Sequence, residues 1–217
     1  MWTKICGIRD VATALASAQA GADAIGLNFY ANSPRVVASD TAAEVVAALP
    51  PQTVPIGVFV NHAADDVRAI AKQCGLRTIQ LHGDEPPEFV AELAGEFRIV
   101  RAFRVGEDGL KHVEDYLDRC RLLGAALWAC LFDTKVSGHY GGTGQIAPWE
   151  TIRREYKTGE WPPLILAGGL RPQNVAKAIA TVKPWGVDVA GGVESSVACK
   201  DLALVRQFVL NATHRSN

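Results

Sequence analysis

Eight short runs of apolar, often β-branched residues recur along the chain: Trp2–Ile8, Ala24–Phe29, Pro55–Val60, Thr78–His82, Ile99–Val105, Leu127–Asp133, Pro163–Ala167 and Val187–Ala190. Most are near-continuous in hydrophobicity, the pattern of parallel strands covered on both faces. Segments with helical spacing lie between them. Ser39 and Asp40 stand before a helix predicted over Thr41–Leu49, Asn61 or His62 before Ala63–Gln73, and Asp84 before Pro86–Leu93; Pro172 suits the first turn of Gln173–Thr181. Gly21, Gly75 and Gly95 follow helical runs, where a left-handed cap suits glycine. Strands alternating with helices mean a parallel sheet. Eight such units favour an α/β fold closed into a (β/α)8 TIM barrel over an open doubly wound sheet, which usually has fewer strands.

No linker, low-complexity tract or shift in composition divides the 217 residues, so one domain over 1–217 is expected. A hydrophobic content of 48% is enough for a sizeable core. The formal net charge of -1 offers no broad field for nucleic acid or an acidic membrane surface, so a small anion needs a local site. The five cysteines are odd in number and have neither CxxC nor zinc-ligand spacing. Lys4 and Arg9 interrupt the N-terminus before a signal-peptide core could form, and no run of about 18 apolar residues is present to span a bilayer. Free thiols in a reducing cytoplasm are expected. A monomer is the default oligomeric expectation, with a homodimer as the alternative. The glycine-rich stretch Thr134–Ala147 reads as a functional loop.

In such a barrel ligands bind at the C-terminal strand ends, which selects the candidate chemistry. Cys6 ends the first strand beside Gly7, placed either to exchange protons or to pack as a small hydrophobe; Lys4, Arg9 and Arg35 are candidate cations to lower its pKa. Cys74, Cys120 and Cys199 read as helical packing residues, and Cys130 as a packing residue inside a strand. Asp133 ends an apolar run at the mouth of a dry barrel, where a carboxyl can act as a general acid; a cap or salt-bridge partner is the alternative. Asp188, within the eighth strand, must be paired if it points inward: it could hydrogen-bond a substrate hydroxyl, orient another site residue, or be a structural partner of Lys4 or Lys135. His82 lies near the mouth and is read as a hydrogen-bonding residue. His139 is also near the mouth, whereas His62, His112 and His214 read as surface residues; no histidine has metal spacing, so no metal or cofactor is expected. Gly168–Gly169 and Gly191–Gly192 each follow a strand and are read as leading into a helix. Bare backbone N–H groups and a helix N-terminus there suit a phosphate, at the strand-seven and strand-eight loops where barrels commonly hold one.

Together these residues resemble the phosphoribosylanthranilate isomerase family. The similar motifs are Lys4–Ile5–Cys6–Gly7–Ile8, Gly26–Leu27–Asn28–Phe29 with Ser33–Pro34–Arg35, Gly57–Val58–Phe59–Val60–Asn61 and Gln80–Leu81–His82–Gly83. Later come Phe132–Asp133, Tyr140–Gly141–Gly142–Thr143–Gly144, Leu166–Ala167–Gly168–Gly169–Leu170 and Val187–Asp188–Val189–Ala190–Gly191–Gly192–Val193–Glu194. They span almost the whole chain in family order. The resemblance implies an Amadori rearrangement of N-(5′-phosphoribosyl)anthranilate in tryptophan biosynthesis. Cys6 would be its general base and Asp133 its general acid. Arg35 would contact the anthranilate carboxylate or hold the site around it, and backbone at Gly168, Gly169, Gly191 and Gly192 would hold the phosphate. The chain departs from the family at Ala190–Gly191, where many relatives are expected to carry serines.

Three other readings compete. A histidine-pathway aminosugar-phosphate isomerase is expected to use paired aspartates, against Cys6. A Schiff-base aldolase would need Lys4 or Lys135 as nucleophile. A non-catalytic phosphate-binding module would have no use for Cys6 and Asp133 together.

Overall fold

The computed structural model describes residues 1–106, 108–134 and 148–213. Lys135, His139, the motif Tyr140–Gly144 and His214 lie outside the described residues. Eight parallel strands form a closed barrel: β1 (Trp2–Cys6), β2 (Ala24–Asn28), β3 (Val54–Phe59), β4 (Thr78–Leu81), β5 (Arg98–Val105), β6 (Ala129–Thr134), β7 (Leu164–Leu166) and β8 (Gly186–Val189). The ring closes where β8 pairs with β1 and Lys4 stands opposite Asp188. Eight helices surround it: α1 (Val11–Gln19), α2 (Ser39–Ala48), α3 (Ala64–Cys74), α4 (Pro87–Leu93), α5 (Lys111–Leu122), α6 (Trp149–Glu155), α7 (Val175–Val182) and α8 (Leu202–Thr213). Among the described residues no helix is long and apolar enough to cross a membrane.

The (β/α)8 expectation holds, and the differences are local. β1 stops at Cys6 because Gly7, at φ +78°, turns the chain off the barrel axis. The predicted polar caps of α2, α3 and α4 are not used: their N-caps are Ala38, Ala63 and Pro86, none with a side-chain hydrogen bond. Asn61 and Asp84 instead join two loops, the Asp84 N–H donating to Asn61 Oδ1 at 2.6 Å. α7 begins at Val175, not at Gln173. Gly75 adopts the expected left-handed cap at φ +70° and Gly21 lies at φ +97°, whereas Gly95 has no positive φ.

The chain after β8 holds the largest departure. It enters a 3-10 turn (Gly191–Val193) and an antiparallel hairpin, β9 (Glu194–Ser196) with β10 (Cys199–Lys200), before α8 begins. Cys199 is therefore an exposed hairpin residue, not a helical packing residue. Cys74, Cys120 and Cys130 are buried as expected, and all five thiols are free.

Two apolar clusters follow from strand alternation, because successive side chains in a barrel wall face opposite sides. The larger packs outward-facing residues such as Ile5, Ile25, Ile79 and Leu81 against the helices. The smaller comprises the opposite parity, Val100, Ala102, Ala129, Leu131, Ile165 and Ala167, with Trp2 and Trp128 against it. Trp2 stacks on Trp185 with centroids 4.9 Å apart, filling the N-terminal end. The C-terminal end is left to polar side chains of the same inward parity.

Gly75 has open space around its missing side chain, with only a Val46 methyl 3.9 Å away, so a substitution there reports on backbone conformation alone. Gly75→Ala is expected to lower unfolding free energy by about 1–2 kcal/mol. Urea denaturation would show this as a lower midpoint at unchanged slope.

Candidate active site

Lys4 and Cys6 from β1, Gln80 from β4 with His82 just beyond it, Asp133 from β6 and Asp188 from β8 share the inward parity. Lys4 is wholly buried and its Nζ donates to Asp188 Oδ1 at 2.9 Å. A lone ammonium this deep would shed its proton, since burial disfavours the charged form. Burial does push Lys4 down, but the attraction of Asp188 and Cys6 outweighs it and the net direction is up. The same ammonium acts on the nearby Cys6 thiol, pulling its pKa down. Gly26, opposite Cys6 in the register, makes room for both groups: a Cβ there would sit 2.7 Å from Cys6 Sγ and 3.1 Å from Lys4 Nζ.

Of the candidate cations, Lys4 does lower the Cys6 pKa, but it does not set the net direction. Burial dominates and raises it, Lys4 pulls it down, and Asp188 pushes it up again. Arg35 is not a free cation for the thiol. It passes over Gly7 and makes a bidentate pair with Glu194, Nε to Oε1 and Nη2 to Oε2 both at 2.8 Å. Lys200 from β10 completes this cluster, donating to Glu194 Oε1 at 2.7 Å and to the Ala190 carbonyl at 2.9 Å. Arg9 is exposed.

Asp133 is buried at the mouth, its Oδ1 accepting the Thr134 N–H at 2.7 Å. His82 Nε2 lies 3.5 Å from Asp133 Oδ2, and His82 Nδ1 is 2.7 Å from the Gln80 side-chain amide. Gln80 thus anchors one imidazole nitrogen, while the other, buried, lies beside the carboxyl without a hydrogen bond.

The glycine pairs do converge, by different means. Gly168 and Gly169 are left-handed, at φ +81° and +62°, where a side chain would be strained. A Cβ on Gly168 would also meet Thr134 Oγ1, and one on Gly192 would run into the Leu170 carbonyl oxygen, so the two loops touch through bare backbone. Neither pair leads straight into an α-helix: α7 starts at Val175, and Gly191–Gly192 open only the single 3-10 turn. The expected contribution of a helix N-terminus shrinks accordingly, leaving the exposed backbone itself. A cavity of about 580 Å³ is lined by both pairs together with Arg35, Asp133 and Asp188. Cys6 and His82 do not line it. Cys6 is set beside the inner Lys4–Asp188 pair, and His82 behind Asp133.

With this geometry in view, the comparisons with known proteins agree. The family model for N-(5′-phosphoribosyl)anthranilate (PRA) isomerase matches residues 3–211. The N-(5′-phosphoribosyl)anthranilate isomerase of Geobacter sulfurreducens is 44% identical over 210 residues, covering 96% of this chain and 97% of the relative. The crystal structure of phosphoribosyl anthranilate isomerase from Thermotoga maritima superposes with a TM-score of 0.86 at 33% identity, over 98% of both chains. Another isomerase structure, in complex with reduced 1-(o-carboxyphenylamino)-1-deoxyribulose 5-phosphate, gives 0.81 at 32% identity, again over 98% of both chains.

Sequence reasoning left out Gln80, Glu194 and Lys200 as site residues. Gln80 carried a signal, an amide within an apolar strand. Glu194 was quoted in a motif but its partners, 159 residues upstream and six downstream, are visible only in the fold. Burial pushes Glu194 up, but hydrogen bonds from Arg35 and Lys200 outweigh it and bring the carboxyl down from 4.5 to about 2. A depressed folded pKa contributes stability that is fully present above the unfolded value and lost as pH falls toward the folded one. Wild type should therefore be more stable than Glu194→Gln above pH 5. Urea titrations should show the gap narrowing as pH falls from about 4.5 toward 2.

Proposed function

Because the chain belongs to the phosphoribosylanthranilate isomerase family, we propose that it converts N-(5′-phosphoribosyl)anthranilate to the 1-deoxyribulose 5-phosphate derivative in tryptophan biosynthesis, with Asp133 as general acid and Cys6 as general base. The observation that carries this assignment is an inward carboxyl and an inward thiol at one barrel mouth, on β6 and β1 with β7 and β8 between them. The glycine loops that suit a phosphate follow β7 and β8. Binding the phosphate there would hold the ribose between acid and base.

The steps need only proton transfer. Asp133 gives a proton to the furanose ring oxygen, the C1′–O bond breaks, and the nitrogen lone pair forms an iminium. The Cys6 thiolate takes the proton from C2′, and the electron pair neutralises the iminium to give an enolamine. The C2′ enol then becomes a ketone as its hydroxyl loses a proton and C1′ gains one, so the sum is an isomerisation. General acid–base catalysis accounts for about 10²–10⁴-fold per group, and fixing the substrate by its phosphate supplies more.

Lys4 has a defined part in this reading. A thiol raised by burial needs a nearby cation to ionise, and Lys4 is the cation that lowers its pKa most. Asp188 keeps that ammonium charged. Arg35, with Nε and Nη2 held by Glu194, would serve the anthranilate carboxylate. Five free thiols fit a reducing compartment, and we read the chain as cytoplasmic.

The test is loss of anthranilate-type fluorescence from freshly generated phosphoribosylanthranilate. Wild type should turn over without added metal; Cys6→Ala and Asp133→Asn should each lose at least about 100-fold in kcat with KM little changed. Near-normal turnover in both would defeat the acid–base assignment. Gly192→Ala should instead raise KM, because its methyl displaces the Leu170 carbonyl and parts the loops.

The direction of the Cys6 shift sets a pH profile as well. The groups facing the thiol are Lys4 and Asp188 within the barrel and Lys200 and Arg35 above it. With its pKa raised from 9.0, the thiol holds its proton at neutrality, so kcat/KM should climb as pH rises from 7 toward 9. Lys4→Met should move that limb to higher pH, measurable without turnover as the alkylation rate of Cys6 in a Cys199→Ser background.

A further inference from the structure

Arg101 is a buried cation that the chemistry above does not use. It lies on β5 with outward parity, opposite Leu81 of β4 in the register, so it sits between the barrel wall and α5. Its guanidinium stacks over Phe103 and Tyr116, 5.4 and 5.1 Å from their ring centroids. Nη1 donates to the Leu81 carbonyl at 2.9 Å and to the Ala102 carbonyl at 2.8 Å; Nη2 donates to the Gly83 carbonyl at 3.2 Å. Leu81 and Gly83 are the residues on either side of His82. The planar fork therefore holds the carbonyl of the residue on each side of His82, a grip that a point charge could not reproduce.

Glu85 completes the grip. It is buried 3.4 Å from Arg101 Nη1, and its Oε2 accepts the Gly83 N–H at 2.9 Å while its Oε1 accepts the Asn61 N–H at 2.8 Å. Tyr116, one of the rings under the guanidinium, donates its hydroxyl to the Glu85 carbonyl at 3.0 Å. The backbone of 81–83 is thus held at two carbonyls and one N–H by a charged pair outside the wall. His82 projects inside, where Gln80 holds Nδ1 and the buried Nε2, without a hydrogen-bond partner, lies 3.5 Å from Asp133 Oδ2.

We propose that Arg101, paired with Glu85, is a positioning residue that acts through the barrel wall, fixing His82 so that its imidazole orients the Asp133 carboxyl. The proposal rests on the reading of Asp133 as the acid. A carboxyl free to rotate would spend less time aimed at the ring oxygen, and loss of alignment costs rate more than affinity.

The experiment is a double-mutant cycle on purified enzyme, with kcat and KM measured for Arg101→Lys and Arg101→Met, each in wild type and in His82→Ala. Arg101→Lys keeps a charge beside Glu85 but loses the fork; Arg101→Met loses both. Both should lower kcat, Met more than Lys and by about 10–100-fold, with KM changed less than about twofold. In His82→Ala neither should lower kcat further. The His82 ring signals in ¹H–¹⁵N spectra should also shift in both Arg101 variants. If Arg101→Met does not fold, Arg101→Lys is judged by the same criteria. Undiminished kcat in a folded variant, or an equal loss in both backgrounds, overturns the proposal. His82→Ala with wild-type kcat would overturn it too, while Asp133→Asn separately decides the reading on which it rests.

Discussion

The Lys4–Asp188 pair stands where the barrel closes, joining the first strand to the last across the seam of the ring. Removing two charges from water is costly, and their attraction repays that cost only with good geometry. Here the strands supply it: the two residues are register partners, so wall formation and charge pairing happen in one event. Once made, the pair places an ammonium against Cys6 and leaves no room for a side chain at Gly26. The inner layer at the mouth is polar because this pair is there, and the reactive thiol inherits its surroundings from it.

The second organising feature is the set of contacts that tie one strand-end loop to another. Arg35 after β2 reaches Glu194 after β8, Glu85 after β4 reaches Asn61 after β3, and Leu170 after β7 meets Gly192 after β8 through backbone alone. A barrel supplies eight strand ends at fixed spacing, but the loops are free to wander unless something joins them. These cross-links turn separate loops into a frame around Asp133 and the cavity beside it.

The strands were legible because a doubly covered sheet writes long apolar runs, and a charge that ends or interrupts one, as Asp133 and Asp188 do, marks itself. Cys6 was findable as a strand-end cysteine beside a glycine. The helix starts were misplaced because polar residues such as Asn61 and Asp84 serve loop-to-loop bonds as readily as caps. The β9–β10 hairpin went unseen since its strands are three and two residues long, too short for any periodicity. The direction of the Cys6 shift was not legible: sequence offers candidate cations such as Lys4, but not that burial outweighs Lys4 or that Arg35 is already engaged. Nothing in the sequence marks Arg101, because parity decides whether it faces substrate or helix, and parity is fixed by register.

The alternation that puts Lys4, Cys6 and Asp188 inside and Ile5 outside has a genetic corollary. A missense change can remove the thiol and leave the barrel, or thin the barrel and leave the thiol. An in-frame loss of one codon within β1 can do neither separately: everything on one side of the lesion changes face, so Ile5 or its neighbour arrives where the thiol stood and a charged lysine is turned toward the helices. For this strand the reading of length is stricter than the reading of identity, and heritable variation in it is confined to substitution.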